Sequence, residues 1–203
     1  MKIGITGGIG SGKSFVCQRL NVRGIAVYDC DAAAKRLIRT SSDIRRQLTA
    51  LIGPLAYEAE ANGTNETNGA CEPQGPRLNK AVVARFLLES EENAKAIDRI
   101  VHPAVFRDFE ESGFDWMESA IMFESGIYRL VDRIVVVTAP DEVRIRRVMQ
   151  RDGISREKVL QWMQRQWPQN RVRSLADFEI VNDGVADVDD QIDDLFRKCR
   201  LSH

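Results

Sequence analysis

The first residues able to do chemistry form a glycine-rich segment near the amino end. Residues Gly7–Ser14 read Gly-Gly-Ile-Gly-Ser-Gly-Lys-Ser and match the pattern GxxxxGK[ST]. Such glycines let consecutive backbone N–H groups point into one concavity that binds a chain of phosphates. The pattern predicts that Lys13 contacts the β- and γ-phosphates of a nucleotide and that Ser14 binds Mg²⁺. The predicted nucleotide contacts here are Gly8, Ile9, Gly10, Ser11, Gly12, Lys13, Ser14 and Phe15.

Two aspartates, Asp29 and Asp31, follow a second apolar run and are candidates for proton transfer. Their side chains point the same way on an extended chain, and apart if a helix begins at Asp31. We predict that Asp31 is the general base, with Asp29 as second choice and as a metal ligand through a water. The alternative for Asp31 is a helix N-cap. Glu124 is a further candidate for the metal or acceptor, with a solvated carboxylate as its alternative.

The segment 144–173 is strongly basic, with nine Lys and Arg residues against Asp152 and Glu157. Arginines that close over a nucleotide bind phosphate oxygens and stabilise the charge of a moving γ-phosphoryl group. We therefore predict a lid, with Arg147 and Arg151 on the nucleotide and Arg147 also catalytic. For a single arginine the alternative is a solvated helix face. Trp162 and Trp167 are interpreted as packing anchors rather than as base-stacking platforms.

These groups must be positioned by strands and helices that alternate along the chain. Short apolar runs predict strands at 2–6, 25–28, 120–123, 134–137 and 178–181. Apolar residues at helical spacing predict helices at 13–22, 32–39, 141–151, 157–165 and 188–199. This alternation indicates an α/β fold with about five parallel strands covered on both faces. Because ligands bind at the carboxyl ends of such strands, we expect the glycine-rich segment, Asp29, Asp31 and Glu124 to meet at one edge.

Residues 31–117 are predicted to form a helical region between two parts of the core, 1–30 and 118–203. Helical patterns cover 44–52, 80–88, 91–101 and 104–111, with Pro103 at the first turn of the last. His102 is a candidate for lining an acceptor pocket, and a structural helix start is the alternative. Residues 57–76 are predicted to be a flexible insertion, since 62–76 contain three glycines and two prolines.

Composition excludes several classes of protein. The 203 residues include 43% hydrophobic and 29% charged residues, as in an ordinary globular domain. With 29 basic and 30 acidic residues the net charge is -1, which argues against a nucleic-acid partner. No apolar stretch approaches the roughly 20 residues of a membrane span, and no secretion signal opens the chain, so we expect a cytoplasmic protein. The four cysteines are expected to be free thiols, with a zinc or disulfide framework as the alternative. A monomer is the default expectation.

Taken together, these motifs resemble the dephospho-CoA kinase family. The resemblance rests on Thr6–Ser14, Asp29-Cys30-Asp31, His102-Pro103, Phe123-Glu124 and Gln150-Arg151-Asp152. In addition, Asn182-Asp183-Gly184 is similar to a family turn, which implies a place near the adenine for Asn182. The resemblance implies a P-loop kinase core with a helical acceptor domain and a lid. It implies transfer of the γ-phosphate of ATP, with Mg²⁺, to the ribose 3′-hydroxyl of dephospho-CoA. The implied acceptor contacts are Asp29, Asp31, His102 and Glu124.

The sequence also departs from the family pattern and leaves other functions open. Residues 120–123 replace a common Pro-Leu-Leu, and Phe15 replaces a frequent Thr, which makes the acceptor contacts less defined than the nucleotide site. Another small-molecule P-loop kinase keeps the same loop and lid. A non-catalytic nucleotide-binding module is a further alternative, in which Asp31 only caps a helix. A GTPase is disfavoured, because Asn79-Lys80-Ala81-Val82 lacks the aspartate of the guanine-reading motif.

Overall fold

The computed structural model describes residues 1–58 and 76–199, and they contain one parallel sheet. Its strands are β1 Ile3–Thr6, β2 Val27–Asp29, β3 Trp116–Glu118, β4 Arg133–Thr138 and β5 Phe178–Val181. They are ordered β2-β3-β1-β4-β5, and every neighbouring pair is parallel. The predicted α/β fold with five parallel strands is therefore confirmed.

Helices make up most of the remaining described residues. They are α1 Lys13–Val22, α2 Cys30–Thr40, α3 Ser42–Ile52, α4 Lys80–Glu89, α5 Glu91–Ser112, α6 Met122–Ser125, α7 Asp141–Asp152, α8 Arg156–Gln164, α9 Gln169–Leu175 and α10 Val188–Cys199. Short 3₁₀ turns occupy Pro54–Ala56 and Ile127–Leu130. Among the residues described, no helix is both long and apolar enough to span a bilayer.

The chain divides into two compact units, of which the first holds the whole sheet. This first unit comprises residues 1–29 and 112–203. One face of its sheet packs against α1 and α10 in a continuous core. Alternate residues of the strands point into this core, as the period of two of a β-strand requires. Its fully buried members include Ile3, Ile5, Val135, Val137, Ile192 and Phe196. The ring of Trp116 meets Phe196 edge to face, with centroids 6.2 Å apart.

The second unit, residues 30–111, contains helices and no strand among its described residues. Its buried side chains include Ile44 and Leu48 of α3 and Val105 and Phe109 of α5. Residues 59–75, most of the predicted insertion and including Cys71, lie outside the described residues. On either side of that segment, Tyr57 pairs with Leu78 in an antiparallel bridge.

The predicted strand at 120–123 is wrong, because the third strand lies earlier in the chain. It is β3, Trp116–Glu118, which pairs with both β1 and β2. The apolar run leads instead into α6, where Met122 is completely buried. A Cβ on Gly4 would lie 2.7 Å from the Met122 sulfur, so a glycine in β1 makes room for this side chain. Four apolar residues do not distinguish a strand from a buried helical turn.

The predicted helix start at Pro103 is also wrong. A single helix, α5, runs through this position from Glu91 to Ser112. Proline inside a helix removes one hydrogen bond and costs about 3 kcal/mol. The buried residues Val101, Val105 and Phe109 follow one another at four-residue spacing across the proline. Their shared burial explains why the helix continues despite the local penalty.

Candidate active site

The glycine-rich segment forms a tight loop between β1 and α1, as its pattern predicts. Gly10 has a φ of 77°, a conformation that favours glycine. A Cβ at this position would lie 2.5 Å from the Arg144 carbonyl oxygen, so the loop also needs a residue without a side chain here. No side chain caps the amino end of α1, whose N-cap is Gly12. The first N–H groups of α1 and its positive dipole end therefore face the loop, an arrangement that binds phosphate.

Lys13 lies at the base of this loop beside a carboxylate. Its ammonium donates to the Gly7 carbonyl oxygen at 2.9 Å and lies 3.7 Å from Glu118 Oε1. The side chains of Lys13 and Glu118 are only 10% and 13% exposed. Because β2 and β3 are paired in register, Glu118 stands opposite Asp29 at the carboxyl ends of the two strands. The structure thus places an ammonium and two carboxylates along one edge of the sheet.

Cys17, one turn into α1, is influenced by the same charges. Burial, together with the Glu118 carboxylate, raises the pKa of its thiol to about 12. The thiol is therefore protonated and weakly nucleophilic at neutral pH. Cys17, Cys30 and Cys199 carry free thiols.

Glu118 is a functional candidate that sequence reasoning missed. The predicted strand at 120–123 begins four residues after the true start of β3 and so does not include Glu118. A correct placement of β3 would have given the signal, because acidic residues at the carboxyl ends of parallel strands gather at the ligand edge.

Asn182 and Arg147 hold the far side of the loop. The buried Asn182 amide donates to the Ser11 carbonyl oxygen at 3.1 Å, and a Cβ on Gly12 would overlap it. Arg147 donates to the Asn182 backbone carbonyl oxygen at 2.8 Å and to its side-chain oxygen at 3.3 Å. These contacts connect the end of β5, helix α7 and the phosphate loop. Both residues were predicted as nucleotide contacts, and the structure places both against the loop backbone.

Arg144 and Gln166 were not among the predicted site residues, yet both bind the loop at Ile9. Arg144 Nε donates to the Ile9 carbonyl oxygen at 3.0 Å, and the Ile9 N–H donates to Gln166 Oε1 at 2.7 Å. Arg144 is 5% exposed, and this burial lowers the pKa of its guanidinium from its usual value. No local pattern distinguishes Arg144 from the other eight basic residues of the segment. Arg144 is distinguished only by its closeness to the loop in the folded structure.

Glu124 lies in α6 and contacts the connection between α8 and α9. Its Oε1 accepts a hydrogen bond from the Trp167 N–H at 3.1 Å. The Trp167 ring is parallel to Phe123 with centroids 6.2 Å apart, and the Arg171 guanidinium lies 3.4 Å from its centroid. Glu124, Phe123 and Trp167 line a cavity of about 440 Å³. Trp162 packs in a separate cluster with the buried Val159, as expected of an anchor.

Other predicted nucleotide contacts are exposed to solvent. Arg151, at the end of α7, forms two hydrogen bonds of 2.8 Å with Asp152, and its side chain is 63% exposed. Phe15 is 48% exposed on α1. Ser14 is exposed in the first turn of the same helix. Further arginines of the segment form surface pairs, such as Arg156 with Glu142. The solvated alternative therefore holds for several of these arginines, whereas Arg144 and Arg147 lie at the loop.

Asp31 and His102 belong to the second unit. Asp31 is exposed and lies within the first turn of α2, which begins at Cys30. It therefore does not precede the helix as an N-cap, and the chain turns from strand to helix between Asp29 and Asp31. His102 lies in the middle of α5, with its ring parallel to Phe106 and Nε2 3.5 Å from Asp98 Oδ1. His102 therefore does not begin a helix.

Comparison with known proteins gives one consistent answer. Residues 1–187 match the model of the dephospho-CoA kinase family. A dephospho-CoA kinase of Bacteroides fragilis is 36% identical over 91% of this chain and 85% of its own length. One of Salinibacter ruber is 33% identical over 97% of this chain and 92% of its own.

Solved structures share the fold of this chain. A Thermus thermophilus protein superposes with a TM-score of 0.80 at 31% identity, over 100% of this chain and 98% of its own. A dephospho-CoA kinase from Campylobacter jejuni gives 0.58 at 18% identity, over 98% of this chain and 96% of its own. A shikimate kinase from Bacteroides thetaiotaomicron gives 0.55 at 12% identity over 99% of each chain, a likeness of fold alone.

Proposed function

The chain belongs to the dephospho-CoA kinase family, and from this premise we propose that it phosphorylates the ribose 3′-hydroxyl of dephospho-CoA with ATP. The reaction yields coenzyme A and ADP and is the last step of coenzyme A synthesis. One observation carries the proposal: the family match extends over residues 1–187, which include residues of both units. The phosphate loop alone supports only the binding of a nucleotide.

The triphosphate is bound by the residues around the phosphate loop. Backbone N–H groups of the loop and the amino end of α1 bind the phosphate oxygens. Lys13 exchanges its contact with the Gly7 carbonyl for the β- and γ-phosphates. Arg147, whose guanidinium already donates to Asn182, stabilises charge on the transferred group. We retain Arg151 as a contact that a movement of the arginine-rich segment 144–173 brings to the nucleotide.

Magnesium fits the oxygen donors at this edge of the sheet. The Ser14 hydroxyl, with Asp29 through a water, would hold the ion, and Glu118 supplies a further carboxylate nearby. These are the hard ligands that Mg²⁺ prefers. Among the described residues, no group of three or more Asp, Glu, His or Cys side chains forms a metal cage. That agrees with an ion that takes most of its ligands from phosphates and water. When bound, Mg²⁺ neutralises charge on the phosphates.

Proton removal and acceptor binding fall to acidic residues and to the second unit. We assign Asp31 as the base for the attacking hydroxyl, since its carboxylate is exposed at the start of α2. Asp29 is the second choice. His102 and Glu124 are proposed acceptor contacts. The position of Glu124 beside a cavity lined by aromatic side chains supports its role as an acceptor contact.

A coupled ADP-release assay tests the proposed acceptor. The protein with Mg·ATP should release ADP rapidly with dephospho-CoA and only at background rate with adenosine, AMP or shikimate. The variant Lys13→Ala should remain folded and lose turnover by about 10²-fold or more, because its charge acts on phosphates. An equal rate with shikimate, or full activity of Lys13→Ala, contradicts the proposal.

A further inference from the structure

Ile9, in the phosphate loop, is held at three points by the arginine-rich segment. Its N–H donates to Gln166 Oε1 at 2.7 Å. Its carbonyl oxygen accepts from Arg144 Nε at 3.0 Å. Its side chain packs against the cluster of Ile145, Val148 and Val159 from α7 and α8. The backbone and the side chain of one loop residue are therefore fixed by residues more than 130 positions away.

The contact with Gln166 occupies a backbone N–H group of the phosphate loop. In this type of loop, consecutive N–H groups point at phosphate oxygens. The carboxamide oxygen of Gln166 accepts from one of these groups as a phosphate oxygen would. Its amide nitrogen has only a long contact, 3.5 Å, with the Ala120 carbonyl oxygen. Hydrogen bonds to a charged phosphate are roughly twice as strong as neutral ones, so the nucleotide is the stronger competitor.

We propose that Gln166 is a positioning residue that competes with a phosphate oxygen of ATP for the Ile9 N–H. Binding of the nucleotide displaces the carboxamide, and the displacement is transmitted to the connection between α8 and α9. Trp167 follows directly and is held by the Glu124 carboxylate and by stacking on Phe123. The segment thus responds to an occupied phosphate site through this glutamine. The inference rests on the proposed function only in requiring that ATP binds the loop.

Nucleotide affinity measured by calorimetry separates this role from a structural one. Removal of the competitor in Gln166→Ala should tighten the binding of Mg·ATP by about 3- to 10-fold, the worth of one neutral hydrogen bond. Gln166→Glu keeps the acceptor and adds a charge that repels phosphate, so it should weaken ATP binding by about 10-fold or more. The affinity for AMP, which has a single phosphate, should change little in either variant. If Gln166 had only a structural role, both variants would bind ATP more weakly than the wild type. That result overturns the proposal.

Gln164→Ala is the matched control, because Gln164 is exposed two residues earlier, at the end of α8. It should leave ATP affinity unchanged. Tryptophan emission gives an independent readout: ATP should change it in the wild type, and the variant Trp167→Phe should lose most of that change. An equal change in both proteins overturns the proposed transmission. If the wild-type protein does not bind ATP, the proposed function itself fails; if it binds and Gln166→Ala matches the control, only this inference fails.

Discussion

At the scale of single residues, the site is defined by which charged groups contact the phosphate loop. Among the nine basic residues of segment 144–173, Arg144 and Arg147 donate to loop or loop-supporting carbonyl groups. These two contacts fix the carbonyl oxygens of Ile9 in the loop and of Asn182 beside it. Lys13 and Glu118 form a shielded pair at the base of the loop. Shielding such a pair from water costs desolvation, which the attraction between the two charges offsets.

The first prediction at this scale concerns Asp31. In Asp31→Asn, the acceptor hydroxyl loses its base, so turnover should fall by about 10²- to 10⁴-fold while ATP affinity is retained. Steady-state kinetics and calorimetry measure the two quantities. Asp43→Asn is a suitable control, because Asp43 is also an acidic residue in the first turn of a helix of the same unit. Wild-type turnover in Asp31→Asn would reject Asp31 as the base and favour Asp29.

At the scale of elements, helix α7 explains why its arginines differ in role. Arg144 and Arg147 are one turn apart near the start of the helix and reach the loop. Arg151 is one further turn away, about 6 Å along the axis, and pairs with Asp152 instead. The loop in turn is shaped by close backbone approach, since Gly10 lies against the Arg144 carbonyl.

The close approach at Gly10 gives a prediction with an internal control. Gly10 and Gly153 have similar φ angles of 77° and 64°, but nothing lies within 4 Å of a Cβ on Gly153. Gly153→Ala should lower the free energy of unfolding only by the penalty for an alanine in the left-handed conformation. That penalty is about 1–2 kcal/mol, or roughly 2–8 °C in Tm. Gly10→Ala should lower Tm further and also weaken ATP binding. Thermal unfolding and calorimetry check this, and equal effects of the two variants would show that the loop tolerates a side chain.

At the scale of the whole molecule, a group of ion pairs joins the first and last helices of the chain. Arg19 of α1 and Arg23, the residue after α1, both bind the Asp189 carboxylate of α10, and Arg23 also binds Asp193. The pair of helices covers the same face of the sheet. These contacts therefore hold the carboxyl end of α1 against α10.

The pH dependence of stability should reveal this group. The hydrogen bond from Arg19 holds the pKa of Asp189 below its ordinary value. A carboxylate whose pKa is lower in the folded state stabilises the fold at pH values above its unfolded-state pKa of about 3.9. This stabilisation is lost as the pH falls through the folded-state pKa. Asp189→Asn should therefore lower Tm by a few degrees at pH 7, with a difference that shrinks to zero in acid. Asp194→Asn, which breaks an exposed pair within α10, is the control. A difference independent of pH would contradict this account.

Local patterns in the sequence were sufficient for the nucleotide-binding part of the molecule. The loop Gly7–Ser14, the strand before it and the helix after it follow from glycine placement and helical periodicity, which act over a few residues. The five parallel strands follow from alternation of apolar runs with helices. The family resemblance added the acceptor, which no single motif specifies, and the match over residues 1–187 confirms the family.

Tertiary structure decided what depends on residues far apart in the chain. From the sequence, the run 120–123 fits a strand or a helical turn equally well, and the packing of Met122 against Gly4 selects the helical turn. Helix α5 continues past Pro103 because its buried residues lie on both sides of the proline. The roles of Arg144, Gln166 and Asn182 arise from contacts with the loop across 135 to 171 residues. Such contacts leave no periodic trace in the sequence. They exist only because the sheet brings the ends of β1, β3 and β5 to one edge, where shape and hydrogen bonding select among chemically similar side chains.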